Sequence, residues 1–106
     1  MTGTVDERPF SAAYDAETGV LAISGSVDEL SGVSLREALE KESGGFTRDL
    51  VVDLNDVDFL PSLGVGVLAV ARESARKAGH ELEFVARRGC ISQRVLEICG
   101  LPYREA

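Results

Sequence analysis

Few residues of this chain have side chains that could do chemistry. They are Ser62 within "FLPSLGVG", the carboxylates Asp53, Asp56 and Asp58 just ahead of it, a lone His80, and Cys90 and Cys99. A serine nucleophile needs an adjacent base, and its usual strand–turn–helix setting reads Gly-x-Ser-x-Gly. Ser62 lacks that setting, and His80 would have to fill every base role. The glycines after it do not make a phosphate loop, because "PSLGVG" has neither the Lys-Ser/Thr of a P-loop nor a third glycine in Gly-x-Gly-x-x-Gly register. No Cys-x-x-Cys occurs and the histidine stands alone, so neither a metal nor a cofactor is expected. The three aspartates read as a solvated strand end. The cysteines lie about two and a half helical turns apart, too far to bridge across one helix, and read as small buried hydrophobes. Enzymatic catalysis is not expected.

What Ser62 can do follows from its neighbours. Pro61 discourages helical angles at Leu60, so the helix cannot begin early. A serine there is expected to act as N-cap, accepting a hydrogen bond from the amide of Gly64 or Val65, worth roughly 1 kcal/mol. Gly64 and Gly66 then fall in the first turns, where each costs roughly 1 kcal/mol relative to alanine. Two such glycines keep the helix start thin, as an approaching surface would require. The free amides and positive end of the dipole favour an anion on or near the serine.

The flanking patterns define the elements that position it. "FSAAYDAETGVLAISGSV" reads as a hairpin in which Phe10, Ala12 and Tyr14 alternate, "AETG" turns, and residues 20–23 return. "DELSGVSLREALEKESGG" is helical, with Leu35, Ala38 and Leu39 on one face, Glu37 and Lys41 paired on another, and Gly44 and Gly45 as its stop. Leu50, Val51, Val52 and Leu54 form a nearly continuous apolar run, expected to be a central strand covered on both faces or nearly so. A second helix, with Leu68, Ala71 and Ala75 inward, occupies 62–78. A strand follows with Leu82, Phe84 and Ala86 alternating. In the last helix Ile91, Val95, Ile98 and Cys99 share one side and Gly100 ends it. The order β-β-α-β-α-β-α implies a small α/β domain: a mixed, mostly parallel sheet of about four strands, with helices packed on it and an antiparallel edge from the hairpin.

At 106 residues the chain suits a single domain over residues 1–106, and no linker or repeat divides it. Its longest apolar run, residues 63–71, is too short to cross a bilayer, so no membrane insertion is expected. "MTGTVDERPF" lacks the basic start and apolar core of a secretory signal, which makes the cytoplasm the expected location. A net charge of −7 argues against nucleic acid as a partner, since backbone binding needs clustered Lys and Arg. A protein with a basic surface suits that charge better.

The run from Leu50 to Leu101 resembles the core of a STAS domain, in particular those of bacterial anti-sigma factor antagonists. That family typically has an apolar strand ending near Asp, an aromatic residue, and then Asp-Ser-Ser/Thr-Gly-Leu-Gly opening a helix. Here the corresponding residues are Leu54, Phe59 and Pro61-Ser62-Leu63-Gly64-Val65-Gly66. "GSVD" (Gly25 to Asp28) is similar to the family's Gly-x-Leu/Val-Asp after the second strand, and "LEICGL" to its closing helix. The resemblance covers residues 9–101. It departs at Pro61, where the family usually has Asp, and at Leu63, where it usually has Ser or Thr.

The resemblance implies a STAS-like fold and a partner that is both anti-sigma factor and serine kinase. It makes Ser62 the phosphoacceptor and places Asp28 near it. Phe59, Pro61, Leu63, Gly64 and Gly66 fall in the partner-binding surface, and a phosphatase resets the switch. The unphosphorylated form would bind the anti-sigma factor and free the sigma factor. Two other readings remain open: a STAS scaffold or accessory subunit of a transporter or signalling complex that never turns over phosphate, and a small-molecule or nucleotide-binding domain using the helix start as an anion site.

Overall fold

The computed structural model describes residues 9–105; the N-terminal reading above falls on residues 1–10, of which 1–8 lie outside the described residues. The element order is β1 (Ser11–Asp15), β2 (Val20–Ser26), α1 (Glu29–Glu42), β3 (Leu50–Phe59), α2 (Ser62–Lys77), β4 (Leu82–Val85) and α3 (Ile91–Cys99). The strands make one sheet in the order β1-β2-β3-β4, with β1 antiparallel to β2 and the other pairs parallel. This is the small α/β architecture the patterns imply, with the hairpin as its antiparallel edge.

One row of side chains crosses all four strands through the register Tyr14–Leu21–Val52–Phe84. Leu21, Val52 and Phe84 are fully buried. They join a single core with Leu35 and Leu39 of α1, Leu68, Ala71 and Ala75 of α2, and Leu96 of α3. The expectation that β3 is covered on both faces is corrected. Leu50, Val52 and Leu54 are buried, whereas Val51, Asp53 and Asn55 between them are only half-buried. The strand order explains this. Each parallel connection steps the same way across the sheet, so right-handed crossovers bring their helices to one side.

β3 is longer than β2 and pairs with it irregularly. Ala22 opposes Asp53 but Ser24 opposes Asp56, and Gly25 opposes Val57 but Ser26 opposes Phe59. Each shift inserts one extra β3 residue. Such bulges bend a strand and re-aim its end, and here that end carries Asp56 to Phe59 to the rim where α2 begins.

α3 departs from its expected face. Its buried residues are Ser92 and Leu96, and Val95 of the expected face is half-buried against the core, while Ile91, Ile98 and Cys99 are exposed. The Ser92 hydroxyl donates to the Leu54 carbonyl at 2.8 Å, which holds Ser92 on the buried side. Cys90 is half-buried, and its Sγ accepts from the Gln93 amide as the cap of α3. Thus neither cysteine is a plain core hydrophobe. The segment after α3 adds a short parallel bridge to the free edge of β4. Arg104 donates its amide to the Phe84 carbonyl, and its own carbonyl accepts from Ala86.

The other stops follow the sequence. Gly100 ends α3 in the left-handed conformation. After α1, Gly44, Gly45 and also Phe46 take positive φ. Phe46, at +65°, is the strained one. It is held by its amide bond to the Ser43 hydroxyl at 2.9 Å and by packing of its ring on the core.

Candidate functional site

The rim at the carboxyl ends of β2 and β3 carries the starts of α1 and α2, and it is laced together. The Val27 amide donates to the Phe59 carbonyl at 2.9 Å. A Cβ placed on Gly64 would lie 3.0 Å from Val27 Cγ1 and 2.8 Å from Leu60 Cδ1. One placed on Gly32 of α1 would lie 3.4 Å from the Leu63 side chain. The two first helical turns therefore pack against each other. This brings Asp28, the residue after Val27, to the same rim as Ser62.

Asp28 is the N-cap of α1. Its carboxylate accepts from the Ser31 amide at 2.9 Å and the Ser31 hydroxyl at 2.8 Å, and Ser31 Oγ accepts from the Asp28 amide in return. The Ser31 amide, with the Ser31 hydroxyl second, holds the exposed carboxyl below its ordinary value. Asp28 therefore stays ionised on the rim and turns towards its own helix.

Ser62 is not the cap of α2. Pro61 holds that position with extended backbone angles and no side-chain cap, and its carbonyl accepts from the Val65 amide at 3.1 Å. Ser62 becomes the first helical residue. It is exposed, and its hydroxyl makes no hydrogen bond among the described residues. Proline wins the cap position because its fixed φ and extended ψ already turn the chain into the helix, which moves the serine one place inward.

The other expected site residues divide. Phe59 and Leu63 flank the serine, each 48 % exposed, and Pro61 is half-buried between them. Gly66 is exposed, and a Cβ placed on it would meet nothing within 4 Å. Gly64 is buried, and its missing Cβ answers to Val27 and Leu60 inside the protein. The interior thus accounts for Gly64 without an approaching partner.

A groove of about 710 Å³ runs from Ser62 along the α1–α2 seam. Leu63, Val67 and Val70 form its apolar stripe, Arg36 and Glu40 of α1 line it as well, and Phe46 belongs to its wall. Val70 is 65 % exposed. Sequence reasoning missed this stripe, although a signal existed: Val67 and Val70 are apolar yet lie off the arc defined by Leu68, Ala71 and Ala75.

His80 cannot serve Ser62. It lies within 3.3 Å of the Asp49 carboxylate at the entrance to β3, whereas Ser62 follows its exit, roughly 30 Å away along a ten-residue strand. Among the described residues, no group of three or more His, Cys, Asp or Glu side chains could hold a metal ion, and no helix is long and apolar enough to cross a membrane.

Comparison with known proteins agrees with this fold. The family model described as "Mlab, STAS domain" matches residues 10–101. Anti-sigma-F factor antagonist RsfB of Mycobacterium tuberculosis is 35% identical over 83 residues, which take in 77% of this chain and 66% of the relative. The chain thus spans just under two thirds of that relative's length. A crystal structure of an anti-sigma factor antagonist from Mycobacterium paratuberculosis superposes with a TM-score of 0.78 at 25% identity, covering 92% of this chain and 87% of that one. The anti-sigma factor antagonist SpoIIAA in its unphosphorylated form shares the fold, with a TM-score of 0.63 at 15% identity over 92% of this chain and 89% of that one. The chain belongs to the STAS domain family, and its similar relatives are anti-sigma factor antagonists.

Proposed function

We propose that this protein is an anti-sigma factor antagonist. It binds an anti-sigma factor that is also a serine kinase, through the rim around Ser62, and it is released when that kinase phosphorylates Ser62. The observation that carries this reading is the Ser62 hydroxyl. It is exposed at the first position of α2, spared from capping by Pro61, and flanked by the exposed apolar side chains of Phe59 and Leu63.

The step is a phosphoryl transfer from ATP. Ser62 Oγ forms the new bond to the γ-phosphorus, the bond from that phosphorus to the bridging oxygen breaks, ADP leaves, and the hydroxyl proton passes to a base on the kinase. This chain places no histidine near enough to take it. The product carries about −1.5 to −2 extra charges. The positive end of α2 supports that charge by about 0.3–1 kcal/mol when exposed. Inside a contact, beside the ionised Asp28, the same charge must be desolvated and repelled, and release wins. A cytoplasmic setting, and a phosphatase that returns Ser62 to its free form, complete the cycle.

The test is to incubate the purified protein with ATP and lysate of its source cells and to read intact and peptide masses. One added phosphate on Ser62, missing in Ser62→Ala, together with loss of anti-sigma factor binding in Ser62→Asp, supports the reading. An unmodified Ser62, alongside a control antagonist phosphorylated in the same lysate, would overturn it. That result would favour a STAS subunit docking without phosphate turnover, the reading to which Pro61 and Leu63 in the motif lend weight.

A further inference from the structure

Arg36 of α1 lines the same groove as Ser62, and its guanidinium makes no hydrogen bond or ion pair among the described residues. Glu40 lines the groove as well and stands four residues on, a spacing at which helical charges often pair. Here they do not, so the arginine is left as a cation with unused donors beside an exposed hydroxyl.

The two helices bring that cation within reach of Ser62. Both start at the rim, and a Cβ on Gly32 would lie 3.4 Å from the Leu63 side chain, so their first turns stand level. Arg36 follows Gly32 by four residues on the same face, one turn or about 5.4 Å further along α1. Helical side chains lean towards the N-terminus of their own helix, which on α1 is towards the rim. The long arginine stem therefore covers the turn that separates it from the serine. Gly66, one turn after Ser62 on the groove face of α2, puts no side chain in the way. The nearby carboxylates are weak rivals. Asp28 is engaged by the Ser31 amide and hydroxyl, Asp56 and Asp58 have partners of their own, and Glu40 lies a turn further from the rim. A phosphate on Ser62 would offer nearly twice the charge of Glu40, with oxygens spaced for two parallel guanidinium bonds.

We infer that Arg36 receives the phosphate when Ser62 is phosphorylated, in a two-bonded pair that links α1 to α2 and closes the Ser62 end of the groove. This rests on Ser62 being the phosphoacceptor, and it adds how the modified chain is held in its released form. A partner covering the groove must break the pair before it can bind. The pair thus opposes rebinding alongside the repulsion at Asp28. The unmodified hydroxyl carries no charge, and the groove stays open.

Phosphoserine placed at position 62 during translation, through a reassigned codon, tests this without any kinase. Phosphorus NMR across pH reads the second phosphate pKa. A guanidinium in contact favours the dianion, so this pKa should lie below that of phosphorylated Arg36→Gln by about half a unit or more. Arg36→Lys should fall between the two, because an ammonium lacks the planar fork. Lys41→Gln removes the same charge elsewhere on α1 and should leave the value where it was. Arg36 is exposed, so unmodified Arg36→Gln should melt as the wild type does. A second readout is the ratio of anti-sigma factor affinities, unmodified to phosphorylated, which should shrink several-fold in Arg36→Gln. Taking the ratio cancels any contact that Arg36 itself makes with the partner. Equal phosphate pKa values with and without Arg36 would overturn the inference. So would an equal shift in Lys41→Gln, or an unchanged affinity ratio. A Ser62 left unmodified by source-cell lysate would count instead against the proposed function, since the NMR comparison needs no kinase.

Discussion

Val27 and Gly64 stand so close that a single methyl group would not fit between them. A Cβ on Gly64 would approach Val27 Cγ1 to 3.0 Å and Leu60 Cδ1 to 2.8 Å. Val27 is β-branched and fully buried, so it has little freedom to withdraw. Gly64→Ala should therefore lose stability. Overpacking costs about 1–3 kcal/mol and the helix gains about 1 kcal/mol from alanine, leaving a net loss of about 1 kcal/mol. Gly66→Ala, two residues on and open to solvent, should gain about 1 kcal/mol instead. Urea unfolding of the pair checks this, and equal effects at the two sites would refute the packing argument.

Ser62 and Asp28 show the same contrast in capping. Asp28 caps α1 through the Ser31 amide, whereas Ser62 caps nothing. Ser62→Ala should thus stay within about 0.5 kcal/mol of the wild type, as surface substitutions away from special contacts do. Asp28→Ala should lower the melting temperature measurably. If Ser62→Ala melts as low as Asp28→Ala, the hydroxyl has a structural role and its free presentation at the rim is wrong.

These residues also show what the sequence discloses. The element order and the inward faces of α1, α2 and β4 were legible, because burial dictates their spacing: Leu68, Ala71 and Ala75 recur at helical period, and Leu82, Phe84 and Ala86 alternate. The face of α3 was not. Counting apolar residues favours Ile91, Ile98 and Cys99, and the pattern has no way to register that Ser92 finds a carbonyl 38 residues away. The two β3 bulges and the terminal bridge at Arg104 are hidden for the same reason, since both depend on partners distant in sequence. At the site, the position of Ser62 was legible and its hydrogen bonding was not. Serine is a favoured cap by type, but Pro61 fixes the backbone first.

Acid should find two exposed carboxylates whose pKa the fold lowers. The Ser31 amide lowers Asp28 from the ordinary 3.8, and the Glu81 amide, with His80 second, lowers Asp49. A carboxyl whose folded pKa is depressed stabilises the protein above its unfolded value and loses that contribution as pH falls through the folded one. Stability should therefore decline as pH drops through about 4 and below, and less steeply in Asp28→Asn and Asp49→Asn. Tyr103 acts at the other end. Its hydroxyl donates to Glu97 at 2.7 Å, and this raises it above 10.0. A raised phenol stabilises the fold below its unfolded value and loses that contribution as pH climbs through the folded one, so Tyr103→Phe should flatten the alkaline limb. Unfolding free energies measured across pH test both limbs.

Two buried serines should respond in opposite ways to the loss of a hydroxyl. Ser92 donates to the Leu54 carbonyl at 2.8 Å, where β3 has run past its pairing with β4 at Asp53. Ser92→Ala leaves that carbonyl buried without the bond and should cost about 1–3 kcal/mol. Ser26, also buried and opposite Phe59 in the register, has no partner for its Oγ among the described residues. Its hydroxyl already bears the desolvation cost that the Ser92 bond avoids, so Ser26→Ala should be neutral or gain up to about 1 kcal/mol. Both changes remove the same atom from a buried side chain, and a difference in sign between their unfolding free energies isolates the hydrogen bond from the lost volume. If both variants lose stability equally, packing rather than the Leu54 carbonyl sets the orientation of α3.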